Sequence, residues 1–299
     1  MLKLGAHLSI AGGHTKALEK IVQIGGNCLQ IFSTSPRGWS RAKMTPEEIE
    51  QFITIKNKLK INPVYFHASY LINLADSSNT GRYSKASLIA EMNLAAQLGI
   101  KGSIIHLGSF KEGDRDEEIS PEVRSRKYEI LIKNIKEVLS HTPPNVLFII
   151  ENAATRKIGL TLDELSKIIK DVNDKRIRIC FDTCHLHAAG YKLSTLEQFD
   201  NFLTIVNSFI GLEKLELWHL NDSKDPANSR RDRHENIGNG TIGLGTFRFI
   251  LNHEKLKHLT FIIETPGFDE KGPDKDNLDI LKNLITPEPT HVVTTPETV

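Results

Sequence analysis

The chain has 299 residues, 39% hydrophobic and 25% charged, a composition that excludes a disordered or fibrous protein. Its net charge is +1, so any polyanionic partner must be met by local positive loops rather than by bulk charge. The longest apolar run, Val146 to Ile150, falls far short of a membrane span, the first residues show no apolar signal-peptide core, and three cysteines make no disulfide framework, so a reduced, cytoplasmic protein without a membrane partner is expected.

In chain order, short β-branched or apolar runs alternate with stretches of helical period. Leu2–Leu8 reads as a strand and His14–Ile24 as a helix, then Cys28–Ser33 as a strand and Glu47–Leu59 as a helix announced by Thr45-Pro46. Pro63–His67 precedes the helix Ser84–Leu98, which stops at Gly99, and Gly102–His106 precedes Glu122–Leu139. Val146–Glu151 is followed by Leu162–Val172 behind the capping Thr161, and Ile177–Asp182 by Thr195–Phe209. Leu215–His219 with Thr246–His253, and Leu259–Glu264 with Asn277–Leu284, complete the set. Eight strand-then-helix units predict an α/β chain closed into a (β/α)8 TIM barrel. An open doubly wound sheet is the alternative, disfavoured because no glycine-rich phosphate loop follows the first strand. One barrel domain is expected over residues 1–286, with a loose Pro- and Thr-rich tail at 287–299.

The strands end in His7, Ser33, His67, His106, Glu151, Asp182, His219 and Glu264, and seven of these eight are His, Asp or Glu. A barrel gathers such ends at one mouth. Burying so many ionisable groups there costs several kcal/mol each unless a cation compensates. Imidazoles and carboxylates without clustered thiolates suit Zn²⁺, Mn²⁺ or Fe²⁺ and lean to zinc. There are too many ligands for one ion, Glu151 is able to bridge two, and paired metals suit phosphoester hydrolysis. His185, three residues past Asp182, together with Asp232 and His234, makes a further three-ligand set if the latter pair is locally extended. A single histidine is more often a satisfied core or surface group, and only the joint pattern argues for metal. His14, His141, His253, His258 and His291 are expected to be solvated. Cys28 reads as core and Cys180 as facing the barrel interior, while Cys184 is a weaker ligand candidate beside a set that is already complete.

Several stretches, in order along the chain, resemble the endonuclease IV family of apurinic/apyrimidinic endonucleases in base-excision repair. They are Gly5-Ala6-His7-Leu8-Ser9, His67-Ala68-Ser69-Tyr70-Leu71-Ile72-Asn73, Phe181-Asp182-Thr183-Cys184-His185, His219-Leu220-Asn221-Asp222-Ser223-Lys224, Asp232-Arg233-His234 and Glu264-Thr265-Pro266. The resemblance spans residues 1 to 285. It implies three zinc ions: one on His67, His106 and Glu151, one on Glu151, Asp182, His219 and Glu264, and one on His185, Asp232 and His234. It also implies Glu151 and Glu264 as catalytic residues. The implied activity is hydrolysis 5′ to an abasic site in double-stranded DNA, with trimming of blocked 3′ ends, by a monomer.

Three departures stand out from that pattern. The segment 152–159 lacks a glycine-rich loop, Leu107 follows His106 where proline is usual, and Gly38 has no side chain. Candidate DNA contacts are Arg37 and Trp39 in a basic loop, Tyr70 and Leu71 as an apolar wedge, and Lys224, Arg230, Arg231 and Arg233 near the third ligand set, each otherwise an ordinary solvated residue. A divalent-metal sugar isomerase is the nearest competing reading, and a damage-binding protein that no longer cuts is another.

Overall fold

The computed structural model describes residues 2–110, 119–155 and 157–286. The tail expected to be loose, 287–299, lies outside the described residues, and His291 and Arg156 with it. In chain order the strands are β1 (Lys3–Leu8), β2 (Cys28–Phe32), β3 (Val64–His67), β4 (Gly102–Ile105), β5 (Leu147–Glu151), β6 (Ile177–Asp182), β7 (Leu215–His219), a short antiparallel pair β8 (Asp222–Ser223) and β9 (His234–Glu235), and β10 (Thr260–Ile263). All but the short pair are parallel and close into a barrel in the order β1-β10-β7-β6-β5-β4-β3-β2.

Helices α1 (His14–Gln23), α2 (Pro46–Lys58), α3 (Asn79–Leu98), α4 (Pro121–Ser140), α5 (Leu162–Val172), α6 (Thr183–Ala189), α7 (Leu196–Phe209), α8 (Leu244–Asn252) and α9 (Lys275–Asn283) accompany the strands. Their ends follow local chemistry. Thr45 and Glu48 form a reciprocal capping box on α2, and Thr161 caps α5. Gly99 closes α3 at φ 61°.

Two helices differ from the sequence expectation. α3 begins at Asn79, behind a Ser78 cap, rather than at Ser84. Gly81 hides that start, because glycine reads as a helix breaker although a Cβ here would meet the Asp76 carbonyl oxygen at 1.8 Å. α6 was not anticipated at all. It is a short helix capped by Asp182, whose side chain accepts from the His185 amide at 3.0 Å.

Strand parity sorts the barrel interior into layers. Cys28, Tyr65, Ile104, Ile149, Cys180, Leu217 and Ile262 form one apolar layer. Gly5 fills the matching place on β1, where a Cβ would come within 1.9 Å of the Cys28 carbonyl oxygen. Two residues further along each strand, His7, Gln30, His67, His106, Glu151, Asp182, His219 and Glu264 make the next layer, at the mouth. The sequence expectation had Ser33 as the β2 contribution, and the register corrects it to Gln30. A second, larger apolar core lies between the barrel and its helices.

Ser33 instead donates at 2.5 Å to Glu91 on α3, which also accepts from the Ser103 hydroxyl. Burial pushes the Glu91 carboxyl up to about 7, against both hydroxyls, which favour its ionised form. The folded protein therefore binds this proton more tightly than the unfolded chain, so stability is greatest below pH 4.5 for this group and falls as pH rises from there through about 7. The expected loss is about 3 kcal/mol. Urea unfolding of Glu91→Gln at pH 5 to 8 is expected to show this slope flattened, with the variant the more stable at pH 8. A slope equal to that of the wild type would remove Glu91 as its source.

Candidate metal centre

Glu151 lies at the centre of the mouth and is buried. Its two oxygens face different partners. Oε2 lies 3.1 Å from His67 Nε2 and 3.3 Å from His106 Nε2, whereas Oε1 lies 3.2 Å from His219 Nδ1. His219 Nδ1 in turn stands 3.5 Å from Glu264 Oε2 and 3.8 Å from Asp182 Oδ2. A third cluster sits beside these, with His185 Nε2 3.1 Å and His234 Nε2 3.3 Å from Asp232 Oδ1. In each of the sets His67/His106/Glu151, Glu151/Asp182/His219/Glu264 and His185/Asp232/His234, the ligand atoms lie within 4.8 Å of one another. Asp182, Cys184 and His234 satisfy the same test, but burial pushes the Cys184 thiol above its ordinary range, which disfavours a thiolate ligand.

Folding supplies each part of the third cluster. Helix α6 carries His185 inward from the Asp182 cap. The β8–β9 pair turns the chain back so that His234 faces the mouth, while Arg233 points away and grips Asp225 at 2.6 and 2.5 Å.

The donor chemistry fits cations. Three of the imidazoles are anchored to backbone by one nitrogen and present the other. His67 Nδ1 donates to the Ala68 carbonyl at 2.8 Å, His185 Nδ1 to the Asn152 carbonyl at 2.9 Å and His234 Nδ1 to the Glu264 carbonyl at 3.3 Å. The outward nitrogens of His185 and His234 are buried and make no hydrogen bond although Asp232 is close by, the arrangement expected of atoms converging on a shared ion. Electrostatics agree. Desolvation works against the charged form of Glu151, yet His106 and His219 hold its carboxyl well below the usual range. Against the same penalty, Asp182 and Asp232 raise His185 to about 10. Burial, with Lys157 and neighbouring imidazoles, depresses His106 to about 3, against the pull of Glu151.

The mouth opens into a cavity of about 760 Å³ whose rim includes Arg37 and Tyr70. Tyr70 is 62% and Leu71 37% exposed, side by side after β3, and the Tyr70 ring stands edge-on to Phe32. Trp39 packs partly into the outer core, 5.7 Å from the Tyr83 ring. Lys224, Arg231 and Arg233 are exposed but do not line the cavity, and both arginines face Asp225. Sequence reasoning missed the rim lysines Lys20, Lys157 and Lys271, which are scattered along the chain and gathered only by the fold. His14, His141 and His253 are not simply solvated. They hold the Ser33 carbonyl, the Glu137 carbonyl and the Asp200 carboxylate, respectively.

A barrel with such a centre belongs to a broad class, and residues 18–284 match the family described as xylose isomerase-like TIM barrel. The chain is 37% identical over 289 residues to a probable endonuclease 4 of Sulfurihydrogenibium sp., covering 95% of this chain and all of the relative. It is 36% identical to apurinic-apyrimidinic endonuclease 1 of Saccharomyces cerevisiae, covering 90% of this chain and 73% of that protein. The crystal structure of endonuclease IV from Thermus thermophilus superposes with a TM-score of 0.78 at 32% identity, over 94% of this chain and 98% of that one. A D-tagatose 3-epimerase-like protein shares the fold at a TM-score of 0.70 but only 20% identity, over 95% of this chain and 97% of that one. The chain belongs to the endonuclease IV family.

Proposed function

We propose that the protein is an apurinic/apyrimidinic endonuclease of DNA repair that hydrolyses the phosphodiester 5′ to an abasic site. The observation that carries this reading is the mouth itself, where three ligand clusters, two of them sharing Glu151, floor a cavity with cations on its rim. His67, His106 and Glu151, then Glu151, Asp182, His219 and Glu264, then His185, Asp232 and His234 would hold three zinc ions. When bound, the ions supply Lewis acidity and make water nucleophilic near neutral pH. In the reaction, water adds to phosphorus and the 3′ oxygen leaves, producing a 3′-hydroxyl and a 5′-deoxyribose phosphate. Blocked 3′ ends present the same phosphoester to the same floor. The reading includes a monomer acting on double-stranded DNA in the cytoplasm. No helix among the described residues is long and apolar enough to cross a membrane.

This chain's own residues select and orient the substrate. An abasic nucleotide has lost pairing and stacking, so it is the cheapest to swing out of a duplex. Tyr70 and Leu71 form the exposed apolar pair able to fill the gap it leaves. Arg37 and Lys157 meet phosphates from the rim. Among the described residues Lys157 makes no ion pair, so its charge is free for the substrate. Lys157→Ala is expected to raise KM for an abasic duplex about tenfold at nearly constant kcat, and to reduce the salt-dependence slope by about one. Steady-state kinetics over a salt series check this, and an unchanged slope would remove Lys157 from the phosphate contacts.

The reading as a whole is tested with a duplex carrying one tetrahydrofuran abasic analogue, with metal counted on the same sample. A cut 5′ to the lesion leaving a 3′-hydroxyl, with about three zincs bound, supports it, because the analogue cannot undergo β-elimination. Tight binding without cutting by fully metallated protein means a damage-binding protein. Neither binding nor cutting overturns the nuclease assignment in favour of a sugar isomerase.

A further inference from the structure

Gln30 is the one member of the mouth layer without an ionisable side chain. It is fully buried, and its amide touches three neighbours: Nε2 lies 2.5 Å from Glu264 Oε1 and 2.8 Å from His7 Nδ1, and Oε1 lies 2.7 Å from His219 Nε2. We propose that Gln30 is a positioning residue of the metal centre, fixing which nitrogen His219 presents to the mouth and holding the Glu264 carboxylate in place. The proposal rests on the metal-dependent nuclease reading above.

The direction of each bond follows from what each group is able to do. An ionised carboxylate only accepts, so the amide nitrogen of Gln30 must face Glu264; the flipped amide would set two acceptors 2.5 Å apart. Oε1 then faces His219, whose Nε2 must carry the proton it donates. Nδ1, the nitrogen 3.2 Å from Glu151 and 3.5 Å from Glu264, is then the one turned toward the carboxylates of the mouth. The second amide proton goes to His7 Nδ1. His67, His185 and His234 are oriented by backbone carbonyls, which no side-chain replacement removes. His219 is oriented by a side chain, so a substitution at Gln30 reaches it while leaving the anchors of those three in place. A residue with no exposed surface does not touch substrate, and its influence therefore passes through His219 and Glu264.

The test begins on metal-free wild-type protein with nitrogen-labelled histidine. His219 Nε2 is expected to carry a proton whether or not Nδ1 carries one too, and an Nδ1–H tautomer with a bare Nε2 overturns the proposal without any variant. Gln30→Leu is expected to lose that preference and to bind one zinc about 10- to 100-fold more weakly in chelator competition. Gln30→Glu still accepts from His219 and is expected to keep the tautomer, while losing the donor to Glu264 and weakening zinc as well. A folded Gln30→Leu protein that keeps the wild-type tautomer and zinc affinities within twofold overturns the proposal. The nuclease reading fails separately, if wild-type protein binds no metal or leaves the abasic duplex uncut.

Discussion

Glu151→Gln is expected to lower the cleavage rate of an abasic duplex by at least about a thousandfold. One oxygen of this carboxylate faces His67 and His106 and the other faces His219, so the amide weakens two ligand sets at once. It also removes the negative charge that compensates three buried imidazoles, and losing one partner of such a cluster is far costlier than the cluster's own net worth. Glu264 belongs to one of these sets, so Glu264→Gln is expected to cost about a hundredfold. Single-turnover cleavage with metal analysis on the same samples separates the two. A Glu151→Gln enzyme within tenfold of the wild type, with full metal content, sinks the proposed bridging role.

Removing metal is expected to lower the thermal midpoint by about 10 °C or more. Glu151, Asp182, Asp232 and Glu264 crowd one mouth with His67, His106, His185, His219 and His234, and an ion that binds only the folded chain stabilises it by mass action. At a thousandfold excess over Kd, each site contributes about 4 kcal/mol, and a chain of this size shifts by about 2 to 4 °C per kcal/mol. Calorimetry before and after chelator dialysis, followed by zinc titration, reads the shift. A midpoint that does not move on dialysis and does not return on titration means the mouth holds no tightly bound ion.

The strand-by-strand pattern was legible because the barrel strands are short, β-branched or apolar, and separated by stretches of helical period. Six of the eight strand-end donors belong to the candidate ligand clusters the structure assembles, His7 meets them at Glu264, 3.3 Å away, and through Gln30, and Ser33 does not reach the mouth layer. Gln30 was legible in principle: counting by twos from Cys28 leads to it rather than to Ser33. Helix α6 was hidden because its sequence, Thr183 to Ala189, is too short for a periodic signal and its cap doubles as a strand-end donor. Arg233 looked available to phosphate from its neighbours in sequence, but immediately before β9 its guanidinium closes onto Asp225.

By itself the sequence determined the kind of donors, their order along the chain and the periodicity that aims them inward, because residue type and strand alternation are local properties. Only the tertiary structure decided which donors share a cluster, which oxygen of Glu151 serves which set, and that an amide 234 residues from Glu264 lies against it. The physical reason is closure. β1 pairs with both β2 and β10, so groups from the two ends of the chain meet at hydrogen-bond distance, and no local pattern encodes that distance.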